Sequence, residues 1–218
     1  MKLHRVGAWR ALVGALWAVG CNGGGGTQPP GPPADVVASG GAGQNWYFNN
    51  PLPTPLRVTV SDVSGQPVPG AVVVWAVSSG AGAVSPAQST TDANGIASTS
   101  DSVGSSTVQR VSATVSGVPS PASFSEFATT PPTSAAVTVG NNFFNPDSSA
   151  VQAGSKVKWT WNPGGVTHTI TFTSGPSPLP AEVQQSTGSD SVTFTNVGTY
   201  RYHCTIHSGM NGAVVVVH

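Results

Sequence analysis

The run Lys156-Val157-Lys158-Trp159-Thr160-Trp161 alternates polar and apolar residue by residue, a period of two that belongs to a half-buried β-strand and to no helix. The same beat returns in Leu56-Arg57-Val58-Thr59-Val60, in Val111-Ser112-Ala113-Thr114-Val115 and in Tyr200-Arg201-Tyr202-His203-Cys204. Turn formers separate such runs, as in Ser64-Gly65-Gln66-Pro67-Val68-Pro69-Gly70 and Thr91-Asp92-Ala93-Asn94-Gly95,. Short strands at this spacing imply an all-β chain of antiparallel sheets packed as sandwiches. Only 7% of the 218 residues are charged, but a chain whose apolar residues alternate this regularly folds. Its length accommodates two small domains in series.

In the last of these runs, alternation puts Tyr200, Tyr202 and Cys204 on the core face and turns Arg201 and His203 outward,. Cys204 opens the loop Cys204-Thr205-Ile206-His207-Ser208-Gly209-Met210, which also holds the only methionine besides the initiator. Thiolate, imidazole and thioether form a soft ligand set. With a second imidazole they make the trigonal His₂Cys site with a long axial Met that holds blue copper. His168, after the Gly164-Gly165 turn, is the candidate for that second imidazole. Singly, each residue has a plainer reading: His168 a turn cap, Cys204 and Met210 core filling, His207 a surface residue. Their joint spacing favours a metal, and a thioether suits copper better than zinc.

Around these residues the C-terminal part resembles the blue-copper cupredoxins of the plastocyanin and amicyanin type. The resemblance rests on Val137-Thr138-Val139, Phe144-Asn145-Pro146, Val151-Gln152-Ala153-Gly154, the tryptophan-bearing run, His168 and Gly198-Thr199-Tyr200-Arg201-Tyr202-His203-Cys204, in that order. It implies a Greek-key sandwich over residues 135–218, one type 1 copper ion, and His168, Cys204, His207 and Met210 as its ligands. It also implies single-electron transfer and redox partners docking near His207. Thr169 stands where the family commonly has an Asn that ties the two ligand loops together, and a hydroxyl there makes a shorter tie. The phrases Gly65-Gln66-Pro67-Val68-Pro69-Gly70 and Thr90-Thr91-Asp92-Ala93-Asn94-Gly95, with the lone Trp75, resemble bacterial Ig-like domains of the Big-1 type. The expected architecture is therefore two β-sandwiches: an Ig-like one over 35–129, a proline-marked hinge at 130–134, then the cupredoxin.

Lys2, Arg5 and Arg10 precede the apolar stretch 11–19, a charged region followed by an apolar one of signal-peptide length,. A bilayer span needs about 20 apolar residues, so residues 1–20 read as a leader. Ala18-Val19-Gly20-Cys21 resembles a bacterial lipobox, with Cys21 the lipidated residue. Residues 21–34 then form a Gly/Pro tether with a reach of roughly 20 Å. The expected protein is exported, lipid-anchored and monomeric.

The zero formal charge counts three basic residues of the leader. Without them five basic face eight acidic side chains, and no basic patch for nucleic acid remains. After the leader only His168, His203, His207 and His218 are left, too few for a multicopper enzyme and already placed with respect to a serine-nucleophile triad; the chain reads as no enzyme. Copper storage or delivery, and a surface interaction protein acting through the Ig-like part, are the alternatives to electron transfer. Asp92 and Asn94 have oxygen ligands suited to calcium, but too few of them, and a turn with positive φ at Asn94-Gly95 is the plainer reading. The aromatic cluster Trp46-Tyr47-Phe48 reads as core packing rather than as a binding surface.

Overall fold

The computed structural model describes residues 29–162 and 164–218. The expected leader and Cys21 lie outside the described residues. The described chain is all-β, as two sandwiches.

The first sandwich packs a four-stranded sheet, order β1-β3-β7-β5, against a five-stranded one, order β2-β9-β8-β4-β6. Its strands are β1 (Asp35–Gly40), β2 (Asn45–Tyr47), β3 (Leu56–Ser61), β4 (Val72–Ser79), β5 (Ala83–Ser85), β6 (Gln88–Thr90), β7 (Ile96–Ser102), β8 (Val108–Val115) and β9 (Ala122–Thr129). Alternation is obeyed: Leu56, Val58 and Val60 are buried from one side, Val111, Ala113 and Phe124 from the other, with Trp75 between the sheets. Trp46 and Phe48 pack against this core, as expected of the aromatic cluster. The pairing is not wholly antiparallel, since β2 runs parallel to β9. The Asp92 carboxylate accepts hydrogen bonds from the Asn94 and Ile96 N–H groups, at 2.8 and 2.9 Å, and Gly95 carries the positive φ of 71°. That is a turn, not a calcium loop.

The second sandwich has one sheet of order β11-β10-β13-β16 and another of order β12-β18-β17-β14-β15. Its strands are β10 (Ser134–Gly140), β11 (Phe143–Asn145), β12 (Ser148–Gln152), β13 (Ser155–Trp161), β14 (His168–Ser174), β15 (Val183–Gln185), β16 (Gly188–Phe194), β17 (Gly198–His203) and β18 (Asn211–Val217). β10 begins at Ser134, the last residue of the expected hinge. It lies parallel to β13, and β12 lies parallel to β18. Val157, Trp159, Trp161, Tyr200, Tyr202 and Cys204 are all buried in one core, on the faces that alternation assigns them.

The poles of the two sandwiches are ordered along one line. Gly31 N–H donates to the Asp62 carboxylate at 2.8 Å, so the chain enters the first sandwich at the Ser61 end of β3. The opposite end, where Pro51 bridges to Ser102, meets the second sandwich. There Asn50, 1% exposed, accepts from His218 N–H at 2.9 Å and donates to the His218 carbonyl at 3.4 Å. Beside it lies a cavity of about 170 Å³ lined by Trp46, Pro51, Val197 and Val215–Val217. Strand β18, seven residues long, carries the fold from this junction to the Cys204 loop, about 20 Å away at 3.3 Å per residue. Asn50→Ala removes both bonds and should loosen the junction, giving a larger radius of gyration by small-angle scattering with each sandwich still folded by circular dichroism; an unchanged radius would show that the clasp does not hold the two together.

Three polar side chains enter the first core at that same end. Asp101 and Glu126 are both buried, and each keeps one carboxylate oxygen without a partner. Gln109 donates to Asp101 at 2.6 Å, and Gln44 N–H donates to Glu126 at 2.7 Å. Burial pushes Asp101 up to about 6 against this help, and burial likewise raises Glu126, with the neighbouring Asp101 charge adding to it,. A folded-state pKa above the unfolded one contributes stability at low pH that is lost as pH rises. Between about pH 4 and 6 the first sandwich should therefore lose stability with rising pH, by up to about 3 kcal/mol for a shift of this size. Thermal unfolding of Asp101→Asn against the native chain should show that slope flattened.

Candidate metal centre

Register brings the site together. β14 and β17 pair antiparallel with Thr171 opposite His203 and Phe172 opposite Tyr202. Carried two residues further, the ladder sets Thr169 opposite Thr205. β17 and β18 pair with His203 opposite Asn211, and one step on, Cys204 N–H donates to the Met210 carbonyl at 3.0 Å. The Cys204–Met210 loop is thus a hairpin extension closed at its base, with His207 at its tip. Gly209, at φ 84°, makes the turn that a side chain would strain,. His168 is the first residue of β14 and faces the same end of the core.

Of the expected ligands, the structure gathers three into one group: ligand atoms of His168, Cys204 and His207 all lie within 4.8 Å of one another. Cys204 Sγ stands 3.9 Å from His168 Nδ1 and 3.6 Å from His207 Nδ1. The rings of the two histidines are 4.5 Å apart between centroids. Metal–sulfur and metal–nitrogen bonds of about 2.3 and 2.0 Å at a trigonal angle separate sulfur from nitrogen by roughly 3.7 Å, which both distances match. Met210 is buried in the same core cluster as Cys204. His168 and Cys204 are buried, and His207 is half-exposed. His203 is half-buried and outside the group, as its outward face requires.

The thiol is prepared for a cation. Burial alone raises it, but the Thr169 N–H, the His207 and His168 rings and the Ile206 N–H outweigh burial and bring Cys204 down to about 6,. Thr169 N–H reaches Sγ at 3.4 Å.

Thr169 makes the tie between ligand loops expected of a hydroxyl there. Its Oγ1 accepts from Thr205 N–H at 2.8 Å and lies 3.0 Å from Thr205 Oγ1. Thr205 was not singled out in the sequence, although the register that follows from two paired strands finds it.

Behind the loop stands an aromatic wall. Trp159 meets Phe172 and Tyr202 edge to face, with centroids 6.2 and 5.6 Å apart, and Phe144 meets Tyr202 at 4.8 Å. Gly212 is required beside it, since a Cβ there would stand 2.3 Å from the Tyr202 ring. A site closed on this side by packed rings, and on the other by a hairpin loop, offers a metal three fixed donors and little room for substrate.

A closed His-His-Cys set at the end of a β-sandwich defines a copper site of the blue type, and comparison with known proteins agrees. Residues 133–217 match the model for copper-binding proteins of the plastocyanin/azurin family, and residues 49–127 match that for the bacterial Ig-like domain, group 1. Amicyanin-alpha of Methylorubrum extorquens is 36% identical over 89 residues, covering 39% of this chain and 74% of that protein. Amicyanin of Paracoccus denitrificans is 38% identical over 69 residues, covering 30% of this chain and about half, 52%, of that protein. A solved structure of a reduced amicyanin point mutant is 30% identical, covers 38% of this chain and 82% of its own, and superposes with a TM-score of 0.34. Through its second sandwich the chain belongs to the plastocyanin/azurin family of copper-binding proteins.

Thr169→Val keeps the shape of the side chain but orphans Thr205 N–H. It should destabilise the metal-free protein by about 1–3 kcal/mol, read by denaturant unfolding. Thr169→Asn, which restores an acceptor, should recover most of the loss.

Proposed function

We propose that this protein is a type 1 copper electron carrier in which His168, Cys204 and His207, with Met210 on the axis, hold one copper ion. The observation that carries the reading is the single group of two Nδ1 atoms and one low-pKa sulfur at trigonal separations. When bound, copper supplies one reversible electron. The residues supply the rest: buried rings and a closed loop that resist rearrangement, and a thiolate held ready by its donors.

His207 is the route outward. Its Nδ1 faces the sulfur, so its Nε2 lies across the ring from it, and the residue is half-exposed. Val166 and Ile206, 40% and 48% exposed, flank it, and Phe143 is exposed beyond Gly140 on the same end. An apolar surface around a half-exposed ligand suits a redox protein docking there. Together with a leader over 1–20 and lipidation at Cys21, the line from tether through first sandwich to copper supports an exported, membrane-anchored monomer. In it the Ig-like sandwich holds the copper away from the anchor.

The chain from residue 29 onward, given cupric ion, should show an intense thiolate-to-copper band near 600 nm, an order of position general to such sites. Narrow copper hyperfine splitting should accompany it, and Cys204→Ser should abolish both. A colourless adduct would overturn the carrier reading and favour copper storage or a role for the Ig-like sandwich alone.

A further inference from the structure

A line of hydroxyls leaves the Thr169 tie and ends on a carboxylate. Thr169 Oγ1 lies 3.2 Å from Thr171 Oγ1, and Thr171 Oγ1 lies 2.6 Å from Glu182 Oε2. Thr169 and Thr171 are on β14, while Glu182 precedes β15, which pairs with the start of that strand. The exposed Glu182 therefore reaches the ligand loops through two side chains.

Counting protons gives the line a direction. An ionised carboxylate only accepts, and a hydroxyl has one proton and room for two acceptors' worth of donors. The Thr171 proton therefore goes to Glu182. Its oxygen is left to accept, and the Thr169 proton goes to it. Thr169 Oγ1 then receives both the N–H and the O–H of Thr205, and every member of the line is satisfied. A carboxylate at the end makes the last bond charge-assisted, and aligned bonds polarise one another.

We propose that Glu182 is a positioning residue for the copper centre. Acting through Thr171, it sets the polarity of the Thr205–Thr169–Thr171 line and so keeps the Thr169 N–H seated on Cys204 Sγ. The proposal rests on the copper reading above. A donor on the sulfur draws charge from it and makes it a weaker partner for the oxidised ion, which raises the reduction potential; hydrogen bonding at this sulfur is a general lever on such sites.

The two contributions of Glu182 separate at Thr171. Losing the Glu182 charge raises the potential by simple electrostatics, whereas cutting the line at Thr171 keeps the charge and lowers the potential. The first test is amide exchange by NMR on the metal-free protein, which needs no copper. Thr205 N–H should exchange about threefold faster in Thr171→Val and in Glu182→Gln, the loss of a fraction of one hydrogen bond, and at the native rate in Thr171→Ser. The second is the reduction potential of the copper-loaded protein, which should fall in Thr171→Val and stay native in Thr171→Ser. Native exchange and native potential in Thr171→Val would overturn the proposal. If the native chain forms no blue centre, the copper reading fails, and the exchange rates still decide whether the line acts on the loop.

Discussion

A sulfur atom taken out of water and asked to carry charge depends on the donors that meet it, and the rest of the second sandwich is organised around meeting Cys204. A buried thiol left alone stays protonated. Cys204 does not, because a backbone N–H from one strand and two imidazoles converge on it. None of these donors is local to the cysteine in the way a helix cap is local. Thr169 and His168 come from β14, and they arrive only because β14 pairs with β17 in one register. A slip of one residue would turn every side chain of β14 to the opposite face. It would carry Thr169 away from Thr205 and the His168 ring out of the core. Strand register is thus the quantity that the metal centre tests.

Register in turn is held by the wall of rings. Trp159 of β13 packs on Phe172 of β14 and Tyr202 of β17, which ties the two sheets at the level just below the site. Phe194 adds a second contact to Trp159 and one to Phe172. Such pairs add about 0.5–1.5 kcal/mol each beyond the area they bury, and they are directional. A densely packed interior does not deform gradually. Ligands fixed to it keep their positions when the charge on the metal changes, which is what a rapid one-electron carrier requires.

Much of this was legible in the residues. Alternation alone placed Trp159, Trp161, Tyr200, Tyr202 and Cys204 inside, because it reports which face a strand buries. It does not report which strand lies alongside. The parallel pairings of β10 with β13, of β12 with β18 and of β2 with β9 are long-range choices with no local signature. For the same reason Thr205, Thr171 and Glu182 did not stand out, since their roles exist only once β14, β15 and β17 are in place. The segment around β15 and β16 was silent for another reason. Its strands lie at sheet edges and are half-exposed, so little apolar rhythm marks them. Asn50 carries no signal at all, because an asparagine in a loop reads as a turn former until His218 is brought against it.

The low charge of the chain sets how such a carrier meets its partners. With only 7% of residues charged and Val166 and Ile206 exposed beside His207, there is little field to steer a partner from a distance, and unsteered protein association proceeds at about 10⁵–10⁶ M⁻¹s⁻¹. A tether changes that arithmetic. Confining carrier and partner to one membrane surface raises their effective concentration, and a reach set by a flexible tract plus a stiff sandwich selects partners whose redox group stands at a matching height. On the proposed reading, the Ig-like sandwich and the apolar pole then belong to a single solution: proximity is supplied by the anchor, height by the junction at Asn50 and His218, and discrimination by shape at the exposed edge of His207. A steered, freely diffusing carrier would have needed the charges this chain lacks.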